Sequence, residues 1–447
     1  GSSPLTLTEL ELHHGQCYTA QVQCSSESSS SQTAKSAPVC IDTTAPAAGV
    51  TIVHPLVAAA TSGTATPVDV VLQATSVDAN SEDVTADHVA LIASFALEHA
   101  QMSADPVVHV SPSLDLPAVL HVAAFDGGSG VSFVDLAWST EGGGSDDDAV
   151  DMHAVVPRTP VSLTRFDLLG QGSASAGVRF ADIAAAVTTG TPVFAHYRVW
   201  NGAGSVTRAT STTSVRFDGT PPQQLVPISL PTVQPWSDSL QWSWAYTDEE
   251  SGMLGYTWDV VDSAGVVVVP VTFAGQATSA SASGLSLLHG HTYTVRVTAC
   301  NNALVCRTDD AAVTIDATPP IPGTIYLGSP SAALEADLCG AVDRTAGAPC
   351  MMGPPSTVTG TAVSSLGQVS WGSFSDAESG VASYQLILGT VPFGSQLGGP
   401  VQVPSSTLTM PLASLMTSPG ADVQLVNGTS VYLSVTAVNA LGDTSDI

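Results

Sequence analysis

Lysine is almost missing from this chain: Lys35 is the only one, and ten basic residues in all face thirty-nine acidic ones, a formal charge of −29. A field of that sign repels phosphate backbones and anionic membrane surfaces, which argues against nucleic acid and lipid headgroups as partners. Charge of either sign is sparse, at 11% of residues against 44% apolar, so the composition of a disordered chain is absent and folding is expected. Apolar runs such as Val266 to Val269 fall far short of the roughly 20 residues that span a bilayer. Gly1-Ser2-Ser3 shows neither the basic nor the apolar region of a signal peptide, so any leader is expected upstream of this segment. No Gly-x-Ser-x-Gly elbow, phosphate loop, His-Glu-x-x-His or paired Cys-x-x-Cys occurs, which leaves catalysis without a motif.

What is present is repetition. The 447 residues allow about three or four domains. A glycine followed by apolar residues at every second position recurs as Gly290, Tyr293, Val295, Val297, Ala299, then Asn301. The same spacing returns at Gly190 to Asn201 and Gly428 to Asn439, with a weaker copy from Gly15 to Cys24. A period of two marks a half-buried strand. A second signature, Asp-x-x-Ser-Gly before another strand, occurs at Asp126, Asp248 and Asp376, and reads as a loop between two core strands. A third closes each module: Ile41-Asp42-Thr43-Thr44-Ala45-Pro46, Phe217-Asp218-Gly219-Thr220-Pro221-Pro222 and Ile315-Asp316-Ala317-Thr318-Pro319-Pro320. Proline lacks an N–H and fixes φ, so these are stiff linkers and domain boundaries.

Tryptophan on an early strand (Trp242, Trp244, Trp371), tyrosine on the next (Tyr256, Tyr384) and Leu287 to Asn301 on a late one together resemble the fibronectin type III pattern. The resemblance is closest after Thr220. It implies an all-β chain of tandem immunoglobulin-like, fibronectin type III-like β-sandwiches in an elongated array, each with seven strands in two sheets. The expected parts are a truncated module at 1–44, a module at 45–218 with a long insertion near 54–117, a third at 219–316, and a fourth at 317–447. Both ends are expected to cut through modules of a longer array. Within the insertion Val89, Leu91, Ala93, Phe95 and Leu97 alternate like a strand, while Leu91, Phe95 and His99 keep helical spacing. The β-rich neighbours Val68 to Leu72 and Val107 to Val110 tip the expectation towards extra strands.

Seven cysteines lie near one another in sequence, which favours disulfides in an oxidising compartment. Cys300 with Cys306, Cys339 with Cys350 and Cys24 with Cys40 are the expected pairs, leaving Cys17 over. The histidine pairs His13-His14 and His289-x-His291 are read as structural, because two imidazoles do not complete a usual zinc site. In the sandwich fold the acidic loops face the preceding linker, so Asp126 should meet Asp42, Asp248 and Glu250 should meet Asp218, and Asp376 and Glu378 should meet Asp316. Two readings stand: each aspartate bonds the backbone of its own turn, or the clusters hold Ca²⁺ between modules. Asn427-Gly428-Thr429 is the only N-glycosylation sequon.

These features point to a non-catalytic structural or adhesive segment of an extracellular cell-surface or matrix glycoprotein, with copies of itself or neighbouring glycoproteins as partners. Acidic charge, scarce lysine and diproline linkers also resemble the surface or mastigoneme glycoproteins of green-algal flagella. The alternatives are a ligand-binding set of modules, such as a lectin or receptor ectodomain that uses the insertion to recognise glycans, and an accessory region of a secreted enzyme.

Overall fold

The computed structural model describes residues 6–25, 31–63, 65–75, 85–102, 107–142, 150, 154–160, 162–163, 171–327, 368–416 and 430–446. The third module shows the repeating plan most fully. Strands Gln223–Ser229, Ser239–Thr247 and Ser279–Ser283 form one sheet, with the middle strand flanked by the other two. The second sheet runs in the order Val233–Gln234, Cys306–Ile315, Thr292–Asn301, Met253–Asp262 and Val267–Gly275. Alternation decides which side chains meet between the sheets. Leu240, Trp242, Trp244 and Tyr246 point inward from one sheet against Tyr256, Trp258, Val260, Tyr293, Val295 and Val297 from the other, all buried. Trp242 meets Trp258 edge to face at 4.8 Å, and Trp244 meets Tyr256 at 5.6 Å. Burial of each such side chain is worth about 2–3 kcal/mol. The hydroxyl of Tyr293 accepts from Leu288 N at 2.9 Å, and that of Tyr18 in the first module accepts from His13 N at 3.0 Å, which pins the turn before the signature strand.

The same strand order recurs in the second module, where Val107–Val110, Val206–Phe217, Val193–Asn201, Val131–Ser139 and Ala154–Pro160 make one sheet. Ser162–Leu163, Gln171–Arg179, Pro117–Phe125 and Ala47–Ile52 make the other. In the fourth, Trp371 from Gln368–Gly372 stacks edge-on against Tyr384 from Val381–Gly389 at 5.7 Å. The chain is therefore an all-β series of sandwiches, with apolar cores in the second, third and fourth modules.

The insertion corrects one expectation. It is helical: α1 (Pro55–Ser62), α2 (Pro67–Thr75) and α3 (Ala86–Met102). The segment Val68 to Leu72 lies in α2, and only Val107–Val110 is a strand, running parallel to the end of Val206–Phe217. Position explains how the sandwich tolerates it. In the third module the first strand passes from one sheet to the other through residues 230–232, and in the second module the helices occupy that crossover, between Ile52 and Val107. Buried His88, Val89, Ile92, Ala93 and Ala96 form a helical stripe on α3. Alternation misleads because Phe95 and Leu97, off that stripe, also pack on apolar neighbours. Phe95 stacks on Phe273 of the third sandwich at 4.1 Å, so α3 is apolar on more than one side.

The cysteine pairing is the second correction. Cys40 bonds Cys17, and Cys24 is an exposed free thiol. Cross-strand register decides it: Cys17 lies opposite Cys40, whereas Cys24 lies opposite Gln32. Cys300 bonds Cys306, again directly opposite across a hairpin. Cys339 and Cys350 lie outside the described residues, as does Asn427.

Candidate functional site

Each linker aspartate ends the last strand of one sandwich and sits against two loops of the next. At the second junction Asp218 is buried, and its Oδ1 accepts from Thr220 N at 2.9 Å and Thr220 Oγ1 at 2.8 Å. Its Oδ2 accepts from Ser251 Oγ at 2.6 Å and from Asn301 Nδ2 at 2.9 Å. Asp248, in the loop between two core strands, takes Ser251 N at 2.8 Å and Gly252 N at 3.1 Å on Oδ1. Its Oδ2 takes Asn301 Nδ2 at 3.0 Å. Asn301 is the terminal asparagine of the signature strand. Its Oδ1 accepts from Ala303 N and Val305 N, which fixes the amide with its NH2 facing both carboxylates and Thr220 O. Gly252 has φ +76, a left-handed conformation that brings its N–H round to Asp248 and that a glycine adopts freely.

The first and third junctions repeat this knot. Asn201 Nδ2 donates to Asp42 Oδ2 at 2.9 Å and Asp126 Oδ2 at 3.1 Å, while Ser129 Oγ donates to Asp42 at 2.7 Å. Asn439 Nδ2 lies 3.4 Å from Asp316 Oδ2 and 3.3 Å from Asp376 Oδ2. The hydrogen bond from the Ser129 side chain, followed by that from Thr44, holds the Asp42 carboxyl well below the usual range. Burial pushes Asp376 up, but donors from Ser379, Asn439 and Gly380 outweigh it and leave the group lowered. At the first junction Gly128 stands where the others carry an acid, and a Cβ there would lie 2.6 Å from the Asp42 carboxyl.

The expected pairs Asp42 with Asp126, Asp218 with Asp248, and Asp316 with Asp376 are thus brought together by a shared asparagine. Two groups among the described residues have the spacing to hold a metal ion: Asp218, Asp248 and Glu250, and His289, Asp316 and Glu378. The first fits a cation poorly, because the asparagine amide already lies between its two aspartates and protein donors fill their oxygens. His289, beside the left-handed Gly290, approaches Asp316 and Glu378, each at 3.8 Å. His14, beside Gly15, stands 3.4 Å from Asp42 in the same way. In the sequence the asparagines read only as the end of a strand pattern. Their recurrence at one place in three modules was the signal for this role.

A second contact joins the second and third modules. On α3, His88 Nδ1 meets Thr257 Oγ1 at 2.7 Å and His88 Nε2 lies 3.7 Å from Asp259, whose carboxylate Arg296 also grips. Burial raises the Asp259 carboxyl, yet the bonds from His88 and Arg296 leave it lowered overall. Leu254, Leu304 and the Cys300–Cys306 bridge of the third sandwich join the same apolar cluster as the insertion.

No protein-family model and no curated protein matches this chain. Among solved structures it is similar to a tetra-tandem repeat in the extending region of a large adhesion protein, at 16% identity and TM-score 0.28, covering 96% of this chain and 79% of that one. It is similar also to a 1.5-MDa bacterial ice-binding adhesin from a study of host cell surface retention, at 16% identity and TM-score 0.32, covering 76% and 90%. A third is the FN1–FN3 domains of chicken CNTN1, at 13% identity and TM-score 0.27, covering 74% and 94%. With TM-scores this low, the sandwich assignment rests on the strand order described above.

Proposed function

We propose that this chain is a non-catalytic spacer of an extracellular structural or adhesive protein, in which buried hydrogen-bond knots fix each sandwich on the next. One observation carries the reading: at three successive junctions an asparagine amide faces a linker aspartate and a loop aspartate, at 2.9–3.1 Å in the first two and 3.3–3.4 Å in the third. A hinge has no use for buried carboxylates satisfied across its two sides, whereas a spacer that must hold its direction does. The disulfides support an oxidising location. Solution scattering tests the reading, which expects one stiff particle; a freely jointed string contradicts it. The similar structures lend nothing to the green-algal flagellar resemblance, which rests on composition alone.

Calcium at the junctions is the second reading, favoured by Glu250 and Glu378 standing beside the aspartates. Ca²⁺ takes six to eight oxygen ligands, so at the second junction it would recruit Asp218, Asp248 and Glu250 and displace the Asn301 amide. Thermal melts in millimolar calcium and in chelator decide between the two. A knot closed by its own donors gives equal melting temperatures, and a rise with calcium establishes the ion.

A further inference from the structure

Between the helical insertion and the third sandwich lies a cavity of about 410 Å³, within the roughly 300–1,000 Å³ of small-molecule sites. Three histidines from three elements line it: His54 from the N-cap of α1, His99 from the last turn of α3 and His109 from the strand Val107–Val110. Thr51, Gln101, Thr213 and Asn302 add hydroxyl and amide groups, the Asn302 Nδ2 also donating to Ser251 O at 2.8 Å, and aliphatic side chains form the rest of the wall. In a chain of net charge −29, none of the described residues lining this space is an Asp, Glu, Lys or Arg.

Three imidazoles suggest a transition metal, and two facts oppose one. Their nitrogens are not gathered within the 4.8 Å that brings together the two metal-sized groups elsewhere in the described chain. His54 Nδ1 also accepts the Leu56 N–H at 3.3 Å, closing the N-terminus of α1. With that lone pair in use, the neutral ring carries its proton on Nε2, where it is a donor and not a ligand. Burial, then the neighbouring His99 and His109, push the His54 imidazole down to about 4, so this ring is uncharged at neutral pH.

Among the described lining residues an anion meets no Lys or Arg and opposes the field of the whole molecule, and a hard cation meets no carboxylate. The lining suits an uncharged molecule with many hydroxyl groups around an apolar face. We propose that the cavity binds a neutral saccharide of about one or two sugar rings, with imidazole and amide groups bonding the hydroxyls and the aliphatic wall covering the C–H face. The cavity lining includes none of the junction carboxylates, so the proposal stands or falls independently of the spacer reading.

Saturation-transfer NMR on the intact chain tests this with glucose, galactose, mannose, fucose, xylose and N-acetylglucosamine as probes. The comparison set is His99→Ala, which removes an exposed polar wall, and Ala100→Leu, which fills the space. The expected result is binding of at least one sugar, weakened roughly tenfold or more in His99→Ala, as loss of one or two hydrogen bonds implies, and weakened at least as much in Ala100→Leu because the space is filled, with melting temperatures held. No signal from any sugar, or a signal unchanged in both variants, overturns the proposal. Tight Zn²⁺ binding that disappears in His99→Ala overturns it in favour of a metal site.

Discussion

Asn301 offers two N–H groups from Nδ2 to three acceptors, Asp218 Oδ2, Asp248 Oδ2 and Thr220 O, all within 3.0 Å. Its own carbonyl is spent on two backbone N–H groups, so no other side chain of similar size can do the same work. Asn301→Ala leaves two neighbouring carboxylates facing each other without a shared donor. The expected cost is about 3 kcal/mol in the unfolding of the third sandwich, measured by denaturant titration; a change under about 0.5 kcal/mol would mean the knot is not coupled to the fold. The lowered Asp42 and Asp376 carboxyls set the pH dependence. A carboxyl depressed in the folded state stabilises fully above its unfolded value of about 3.9 and loses that contribution as pH falls through the folded value. The gap in melting temperature between the natural chain and Asn439→Ala should hold from pH 7 to 5 and shrink below about pH 4. A gap that widens in acid contradicts the assignment.

At the scale of elements, the insertion is where sequence reading and structure part. The strands were legible because each faces one core, so period two appears cleanly in Tyr293, Val295, Val297 and Ala299. The insertion packs on its own sandwich and on the next, and such a helix shows apolar residues in every register. A helix signal was nevertheless present at Thr66-Pro67-x-Asp69. Thr66 Oγ1 accepts Asp69 N at 3.2 Å and Asp69 Oδ2 accepts Thr66 N at 2.9 Å, a reciprocal cap at the start of α2. The cysteine pairing was hidden for a different reason: separation along the chain does not give hairpin register, and only register sets Cys17 against Cys40. If α3 braces the third sandwich, Phe95→Ala should cost roughly 2 kcal/mol, less than a fully buried phenylalanine, and lower the unfolding transition of the third module as well as the second. Calorimetry showing only the second module affected would rule the brace out.

For the whole molecule, the sequence showed that linker acids and loop acids would meet, because strand order fixes which pole each occupies. It did not show what would join them. The asparagine acts at a distance of 83 residues from Asp218 and 53 from Asp248, and only the folded strand brings the three together. Repetition of that arrangement turns separate sandwiches into an array with defined joints, and the brace by α3 adds a second constraint at one of them. The most direct measurement is small-angle X-ray scattering of the intact chain against the triple variant Asn201→Ala, Asn301→Ala, Asn439→Ala, at a temperature where both keep their sandwiches folded by circular dichroism. The account predicts one narrow distribution of particle lengths for the natural chain and a broad, shortened one for the variant. Identical distributions for the two would show that the knots do not set the joints.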